Sequence, residues 1–152
     1  MKLSDQYIAG FFDGEGHLGI QVNSKNRSHV LVASFSQSDR DVLERIQSVF
    51  GGVITPRNRI HGGFQLWFRA KETEAMLKRL LPFLIVKRDE AEVSMRFLDH
   101  KRQNRIEIGY DVETKGEIKA EREWFRQKLS SLKRERVAES HAFGIVASTR
   151  KR

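Results

Sequence analysis

The chain contains no cysteine among its 152 residues. A disulfide framework, a thiolate zinc site and a cysteine nucleophile are therefore excluded. No apolar run reaches the length of about 20 residues that a membrane-spanning helix needs. The opening residues, Met1-Lys2-Leu3-Ser4-Asp5, lack the apolar core of a signal peptide. We therefore expect a soluble, intracellular protein, located in the cytoplasm or in an organelle of its host.

Acidic residues are fewer than basic residues in this chain. The chain has 20 Asp and Glu against 28 Lys and Arg, which gives a formal net charge of +8. This excess favours a polyanionic partner. The length suits a single domain with a real core, which we place at residues 1–136. Beyond Val137 no clear apolar period continues, so residues 137–152 are predicted to form a loose or weakly docked basic tail.

One segment near the N-terminus, Ile8-Ala9-Gly10-Phe11-Phe12-Asp13-Gly14-Glu15-Gly16, places three glycines and two carboxylates in an apolar run. Each glycine inside a helix costs about 1 kcal/mol relative to alanine, and close approach of another backbone usually offsets that cost. Gly10 and Gly14 are four residues apart and share one helical face. Two such helices crossing would bring two carboxylates together as a metal site. The predicted dimer interface consists of Ala9, Gly10, Asp13 and Gly14.

The same segment fits other sequence patterns in part. Gly14-Glu15-Gly16-His17-Leu18-Gly19 matches a dinucleotide-binding fingerprint with Asp39 downstream, but that fingerprint requires a helix after the glycines. Residues 20–27 alternate like a strand instead. A calcium loop beginning at Asp13 would need Glu at its twelfth position, which is Ser24. A plain glycine-rich turn before a strand stays open.

The rest of the chain predicts an α+β fold. Hydrophobic periodicity, caps and turn residues indicate two strand pairs with helices between them, and a four-stranded antiparallel sheet covered by helices on one face. Predicted helices are residues 4–13, 39–50, from 73, 89–102 and 117–134; predicted strands are 18–22, 30–37, 53–59 and 64–69.

The uncovered face of this sheet is predicted to be polar and basic. Strand alternation directs Leu18, Ile20, Val22, Phe64, Leu66 and Phe68 toward the helices. The opposite face would present Gln21, Asn23, Lys25, Arg27, Ser34, Ser36, Arg57, Arg59, Gln65, Trp67 and Arg69. Such side chains suit base edges and phosphates, and a two-stranded ribbon fits the major groove. An ordinary solvated sheet face is the alternative, and the +8 charge favours nucleic acid.

The segment Ile8 to Gly16 resembles the LAGLIDADG motif of homing endonucleases, and the series of elements to about Arg102 resembles one αββαββα domain of that family, with additional C-terminal helices. Only one motif is present, and family members with one motif act as homodimers. The resemblance implies an intron-encoded, site-specific double-strand DNA endonuclease with a long, roughly palindromic target. A non-cleaving binder on the same fold, such as an intron RNA maturase or a regulator, is the alternative.

The resemblance also assigns roles to individual residues. Glu15 matches the family's metal ligand, and Gly16 matches the closing glycine, whose carbonyl would add a ligand. Asp13 looks like a structural residue at the helix end. Gln37 and Lys87 resemble active-site residues near the scissile phosphate, and Arg40 is a phosphate-contact candidate. The implied cofactor is Mg²⁺ or Mn²⁺, since Mg²⁺ binds through one or two carboxylates with phosphate oxygens and waters.

Overall fold

The computed structural model describes residues 3–57, 62–105 and 111–149, with side chains as far as residue 139. The described helices are α1 (Asp5–Glu15), α2 (Arg40–Phe50), α3 (Ala70–Leu80), α4 (Arg88–Gln103) and α5 (Val112–Thr149). The strands are β1 (Gly16–Val22), β2 (His29–Gln37), β3 (Val53–Pro56) and β4 (Phe64–Phe68). A short 3₁₀ turn, Leu81–Phe83, separates α3 from α4.

The four strands form one antiparallel sheet in the order β1-β2-β4-β3. Leu18 pairs with Ala33, which in turn pairs with Phe68, so these three residues share one face. The same parity places Ile20, Leu31, Phe35 and Leu66 beside them, and all are buried under the helices. The predicted α+β fold and the predicted helix-covered face are confirmed.

Helix α1 ends directly at the first strand. The Ser4 hydroxyl caps its start by accepting from the Tyr7 amide at 3.2 Å, and Ile8, Ala9 and Phe12 bury its apolar side. At Gly16 an added Cβ would lie 2.2 Å from the Phe12 ring and 2.5 Å from the Phe12 carbonyl oxygen. Only glycine therefore lets the strand leave the helix at this point, and Glu15 is fixed as the last helical residue.

Two predicted strands are longer than those observed. The third spans Val53–Pro56, although the Arg57 amide still donates to the Gly63 carbonyl at 3.0 Å; Arg59 lies outside the described residues. The fourth ends at Phe68 because Arg69 becomes the N-cap residue of α3, where its amide donates to the Glu72 carboxylate at 2.7 Å. Helix α3 accordingly begins at Ala70, three residues before the predicted start.

Helix α5 packs against α4 and β1. The Phe97 and Phe125 rings meet edge to face at 5.8 Å. The helix begins at Val112, earlier than predicted, and runs without interruption past the predicted boundary at residue 137. Weak docking of residues 137–152 stays a prediction. None of the described helices combines the length and the apolar character required to cross a membrane.

Candidate metal and nucleic-acid site

Glu15 has a free carboxylate at the end of α1. Its side chain is exposed and has no hydrogen-bond or ion-pair partner among the described residues. The last carbonyls of a helix carry partial negative charge, so this position favours a cation rather than an anion.

Asp13, the other carboxylate of the segment, is fully engaged within the chain. One carboxylate oxygen accepts from the Ile85 amide at 2.8 Å, and the other accepts from the Lys87 amide at 2.9 Å. These two bonds fasten the segment before α4 to the end of α1. The geometry agrees with the structural role expected for Asp13; a place in a dimer interface stays a prediction.

Lys87 lies inside the protein rather than on its surface. Only 4% of the residue is exposed, and its ammonium donates to the Asp13 backbone carbonyl. Burial lowers the pKa of Lys87, and Arg136 lowers it further, while Glu90 and Asp13 act in the opposite direction. The structure therefore places the Lys87 ammonium at the carboxyl end of α1, and its catalytic role stays a prediction.

Helix α5 adds further charge at the same place, which sequence reasoning missed. The Lys133 ammonium donates to the Leu18 carbonyl, and Arg136 pairs at 3.1 Å with Glu90, a carboxylate only 3% exposed. Burial, followed by the charges of Lys133 and Lys87, lowers the pKa of His17. A signal was available, because Leu129, Leu132, Lys133 and Arg136 follow helical spacing on one face.

The glycine face of α1 is uncovered. An added Cβ at Gly10 or at Gly14 would meet nothing within 4 Å in this chain. Neither glycine is therefore required by packing within the described part of the protomer, although Gly10 weakens the helix. The nearby side chains of Tyr7, Ile85 and Val86 are half exposed or more.

Five of the eleven predicted residues lie in strands on the uncovered sheet face: Gln21, Ser34, Ser36, Gln65 and Trp67. Ser34 pairs with Trp67 and Ser36 pairs with Gln65 across β2 and β4, on the face opposite the core. The Gln65 amide donates to the Ser34 hydroxyl at 3.0 Å. Ser34 is fully buried, so in this structure it positions Gln65 rather than facing solvent. Trp67 is half-buried, not exposed as expected.

Residues at the hairpin end of this face have structural roles as well. The Asn23 side-chain oxygen accepts from the Lys25 amide at 2.9 Å, which closes the turn between β1 and β2. Arg27 adopts a positive φ of 54° in that turn. Both Lys25 and Arg27 are exposed at the tip.

A family model for LAGLIDADG endonucleases matches residues 8–86, just over half of the chain. The chain belongs to the LAGLIDADG endonuclease family. The predicted family is therefore confirmed, and the match begins at the glycine-rich segment that suggested it.

Individual relatives support the same assignment. The intron-encoded DNA endonuclease ai2b of Dictyostelium discoideum is 29% identical over 75 residues, a match spanning 47% of this chain and 29% of that protein. The chain thus matches under a third of that relative's length.

Solved structures share the fold. The homing endonuclease I-CvuI in complex with a DNA target superposes with a TM-score of 0.70 at 20% identity, covering 84% of this chain and 80% of that chain. An archaeal intron-encoded homing endonuclease complexed with DNA gives 0.68 at 17% identity, covering 84% and 82%. The homing endonuclease I-TnaI gives 0.57 at 22% identity, covering 87% and 99%.

The remaining active-site candidate of this LAGLIDADG protein, Gln37, and the phosphate-contact candidate Arg40 lie near the same end of the sheet. Gly16 pairs with Phe35, so Gln37 at the end of β2 lies near the start of β1. Its side-chain oxygen accepts from the Ser38 amide at 2.8 Å. Arg40 pairs with Glu44 at 2.8 Å, and its guanidinium lies 5.5 Å from the centre of the Phe64 ring. Their catalytic and phosphate-contact roles stay predictions.

The donor set fits a hard cation shared between two chains. No group of three or more metal-binding side chains is found in the part of the chain that the structure describes. One protomer offers the exposed Glu15 carboxylate and, through the family resemblance, the Gly16 carbonyl. A magnesium ion uses few protein carboxylates, so one Glu15 from each of two copies would be sufficient.

Proposed function

We propose that this LAGLIDADG protein is one protomer of a homodimeric, divalent-metal-dependent endonuclease that cleaves both strands of a specific DNA site. The observation that carries this proposal is the exposed, unpartnered carboxylate of Glu15, at the end of a helix whose glycine face is open. A DNA substrate would place its action inside the cell or an organelle.

Pairing of two α1 helices supplies the second half of the site. Gly10 and Gly14 have room for a neighbouring backbone, which small residues permit at close helix contacts. The exposed apolar side chains of Ile85 and Val86 lie beside the end of the helix, where Asp13 holds the Ile85 amide. A two-fold contact through this surface brings both Glu15 carboxylates to the symmetry axis.

Each residue of the site would then have a separate role in phosphodiester hydrolysis. A bound Mg²⁺ or Mn²⁺ would neutralise phosphate charge and make a water molecule more acidic. Glu15, with the Gly16 carbonyl, would hold the ion. Lys87 adds fixed positive charge that favours the transition state, and Asp13 keeps that lysine in place. I-CvuI has been solved with DNA in the presence of Mg or Ca, which supports a divalent ion here.

The sheet face would read the target. Gln21, Ser36, Gln65 and Trp67 lie on the uncovered face, and Thr55, which the sequence analysis did not single out, lies beside Gln65. A glutamine amide paired bidentately with adenine in the major groove contributes about 1–3 kcal/mol of discrimination. Because two identical sheets would be used, the target is expected to be roughly palindromic.

The test is cleavage of a randomised duplex library by wild-type protein and by Glu15→Gln, with Mg²⁺ or Mn²⁺, followed by sequencing of the cut ends. The variant should lose at least 100-fold in rate and keep its DNA affinity and its melting temperature. Glu92→Gln, which removes an exposed carboxylate from α4, is the charge-matched control and should cleave normally.

Two outcomes would contradict the proposal. Cleavage by Glu15→Gln at the wild-type rate would remove Glu15 from the metal site. A wild-type protein that binds nucleic acid tightly yet cleaves no duplex with either ion would instead favour a non-cleaving binder, such as an RNA maturase.

A further inference from the structure

A basic cleft of about 420 Å³ lies between the β1–β2 turn and the helices α4 and α5. Five of its lining side chains are cationic: Arg27, Lys101, Arg105, Lys119 and Arg122. No carboxylate lines it among the described residues. The cleft is at the hairpin end of the sheet, whereas Glu15 lies at the opposite end of β1.

The three outer cations of the cleft have no ion pair within the described ranges, unlike several arginines elsewhere on the protein. Arg40, Arg79 and Arg102 each pair with a carboxylate. By contrast, Arg27, Arg105 and Lys119 are exposed and have no ion pair in the described part of the chain. Like charges held together repel one another, and an anion bound among them relieves that repulsion.

The floor of the cleft is held rigidly. Lys101 donates to the His29 carbonyl at 3.0 Å, and Arg122 donates to the Asn104 carbonyl at 2.7 Å. Arg122 is only 6% exposed, and its Nε finds no acceptor among the described residues. A buried guanidinium nitrogen without a partner is costly, and an anion seated in the cleft would offset the cost through the surrounding positive potential.

The position of the cleft limits what can supply that anion. Strand β1 runs for seven residues from Gly16 to Val22, about 23 Å at 3.3 Å per residue. At 3.4 Å per base pair, this corresponds to roughly seven base pairs along a duplex lying on the sheet. The cleft also shares Arg27 with the turn that ends the proposed DNA-reading face.

We infer that the cleft binds a backbone phosphate of the DNA duplex, about seven base pairs out from the cleavage site in each half of the target. This inference rests on the proposed function for its geometry, but not on cleavage. The cleft would contribute to DNA affinity and would set the length of duplex required for tight binding, but it would not contribute to base preference.

The experiment compares wild-type protein with the double variant Arg105→Gln, Lys119→Gln. The matched control is Arg96→Gln, Lys128→Gln, which removes one exposed cation from α4 and one from α5, both outside the cleft. Affinity is measured between 50 and 200 mM salt on random-sequence duplexes of about 30 and about 10 base pairs, since only the longer one reaches both clefts of a dimer. Neither Lys101 nor Arg122 is changed, because both hold backbone carbonyls.

Wild-type protein and the control should bind the longer duplex with the steeper salt dependence. The cleft variant should lose most of this additional salt dependence on the longer duplex. Its slope of log K against log salt should be smaller in magnitude by roughly 2 to 4, because each phosphate contact contributes about 0.9 and a dimer has two clefts. An unchanged length dependence in the cleft variant would overturn the inference.

A second measurement separates DNA phosphate from a free anion. Melting temperatures are recorded with and without inorganic pyrophosphate. If pyrophosphate stabilises wild-type protein but not the cleft variant, while both keep the same dependence on duplex length, the site takes a free phosphate and the DNA assignment is wrong. If the length dependence is lost in the cleft variant even though the wild type proves unable to cleave DNA, the cleft is supported and the nuclease proposal alone fails.

Discussion

Substitution of Gly10 should have opposite effects on the protomer and on the dimer. An added Cβ at Gly10 meets nothing within 4 Å in the chain, and Gly10 lies inside α1. Gly10→Ala should therefore stabilise the isolated protomer by about 1 kcal/mol, the difference in helix propensity. In a chain of this size that raises the melting temperature by roughly 2–4 °C.

Self-association should respond in the other direction. If another α1 helix packs on this face, even a methyl group holds the two backbones apart, and Gly10→Leu should prevent the contact altogether. We expect Gly10→Ala to weaken the dimer and Gly10→Leu to leave a monomer that does not cut both strands. Because dimerisation adds stability that depends on concentration, unfolding must be measured in dilute protein, with sedimentation equilibrium giving the dimer dissociation constant.

Gly116 in α5 provides the control. An added Cβ there also meets nothing within 4 Å, so Gly116→Ala should give a similar gain in stability without changing association. A Gly10→Leu protein that dimerises as tightly as the wild type would refute the role of the glycine face. A loss of protomer stability in Gly10→Ala would show that a methyl group at this position is not accommodated within the protomer.

Two further predictions concern carboxylates. Asp13→Asn should destabilise the protein by about 1–3 kcal/mol in urea unfolding, because an amide has one acceptor oxygen for the two backbone amides of Ile85 and Lys87; an unchanged stability would contradict that role. Hydrogen bonds from Arg126, and then from His29, lower the pKa of Glu123 to about 2 from 4.5. The Glu123 carboxylate therefore stabilises the fold fully above pH 4.5 and loses this effect as the pH falls toward 2. Since the side chain is one third exposed, Glu123→Gln should lower the free energy of unfolding by under about 1 kcal/mol at pH 6. This difference in stability from wild type should be smaller at pH 3.5. A difference that does not depend on pH would show that the ion pair is not its source.

Local chemistry in the sequence determined the elements and their faces. The glycine-rich segment identified the family, Asp39 indicated the start of α2, and alternation in β1 and β4 separated core residues from the polar face. These features depend on neighbours within a few residues, through caps, turns and a period of two or 3.6, so they can be read from the chain. Strand ends were less secure, because the N-cap role of Arg69 competes with the alternation of β4.

Only the tertiary structure decided which distant residues meet. The sequence could not show that both carboxylate oxygens of Asp13 accept hydrogen bonds from the segment before α4. Nor could it show that Lys87 is buried and that its ammonium donates to the Asp13 backbone carbonyl. It also could not bring Lys133 and Arg136 from α5 to the end of α1. Nor could it gather five cations from a turn, two helices and the residue after the C-cap of α4 into one cleft. Such contacts join residues that are tens of positions apart, and they depend on how the helices pack across the sheet, which no local pattern records.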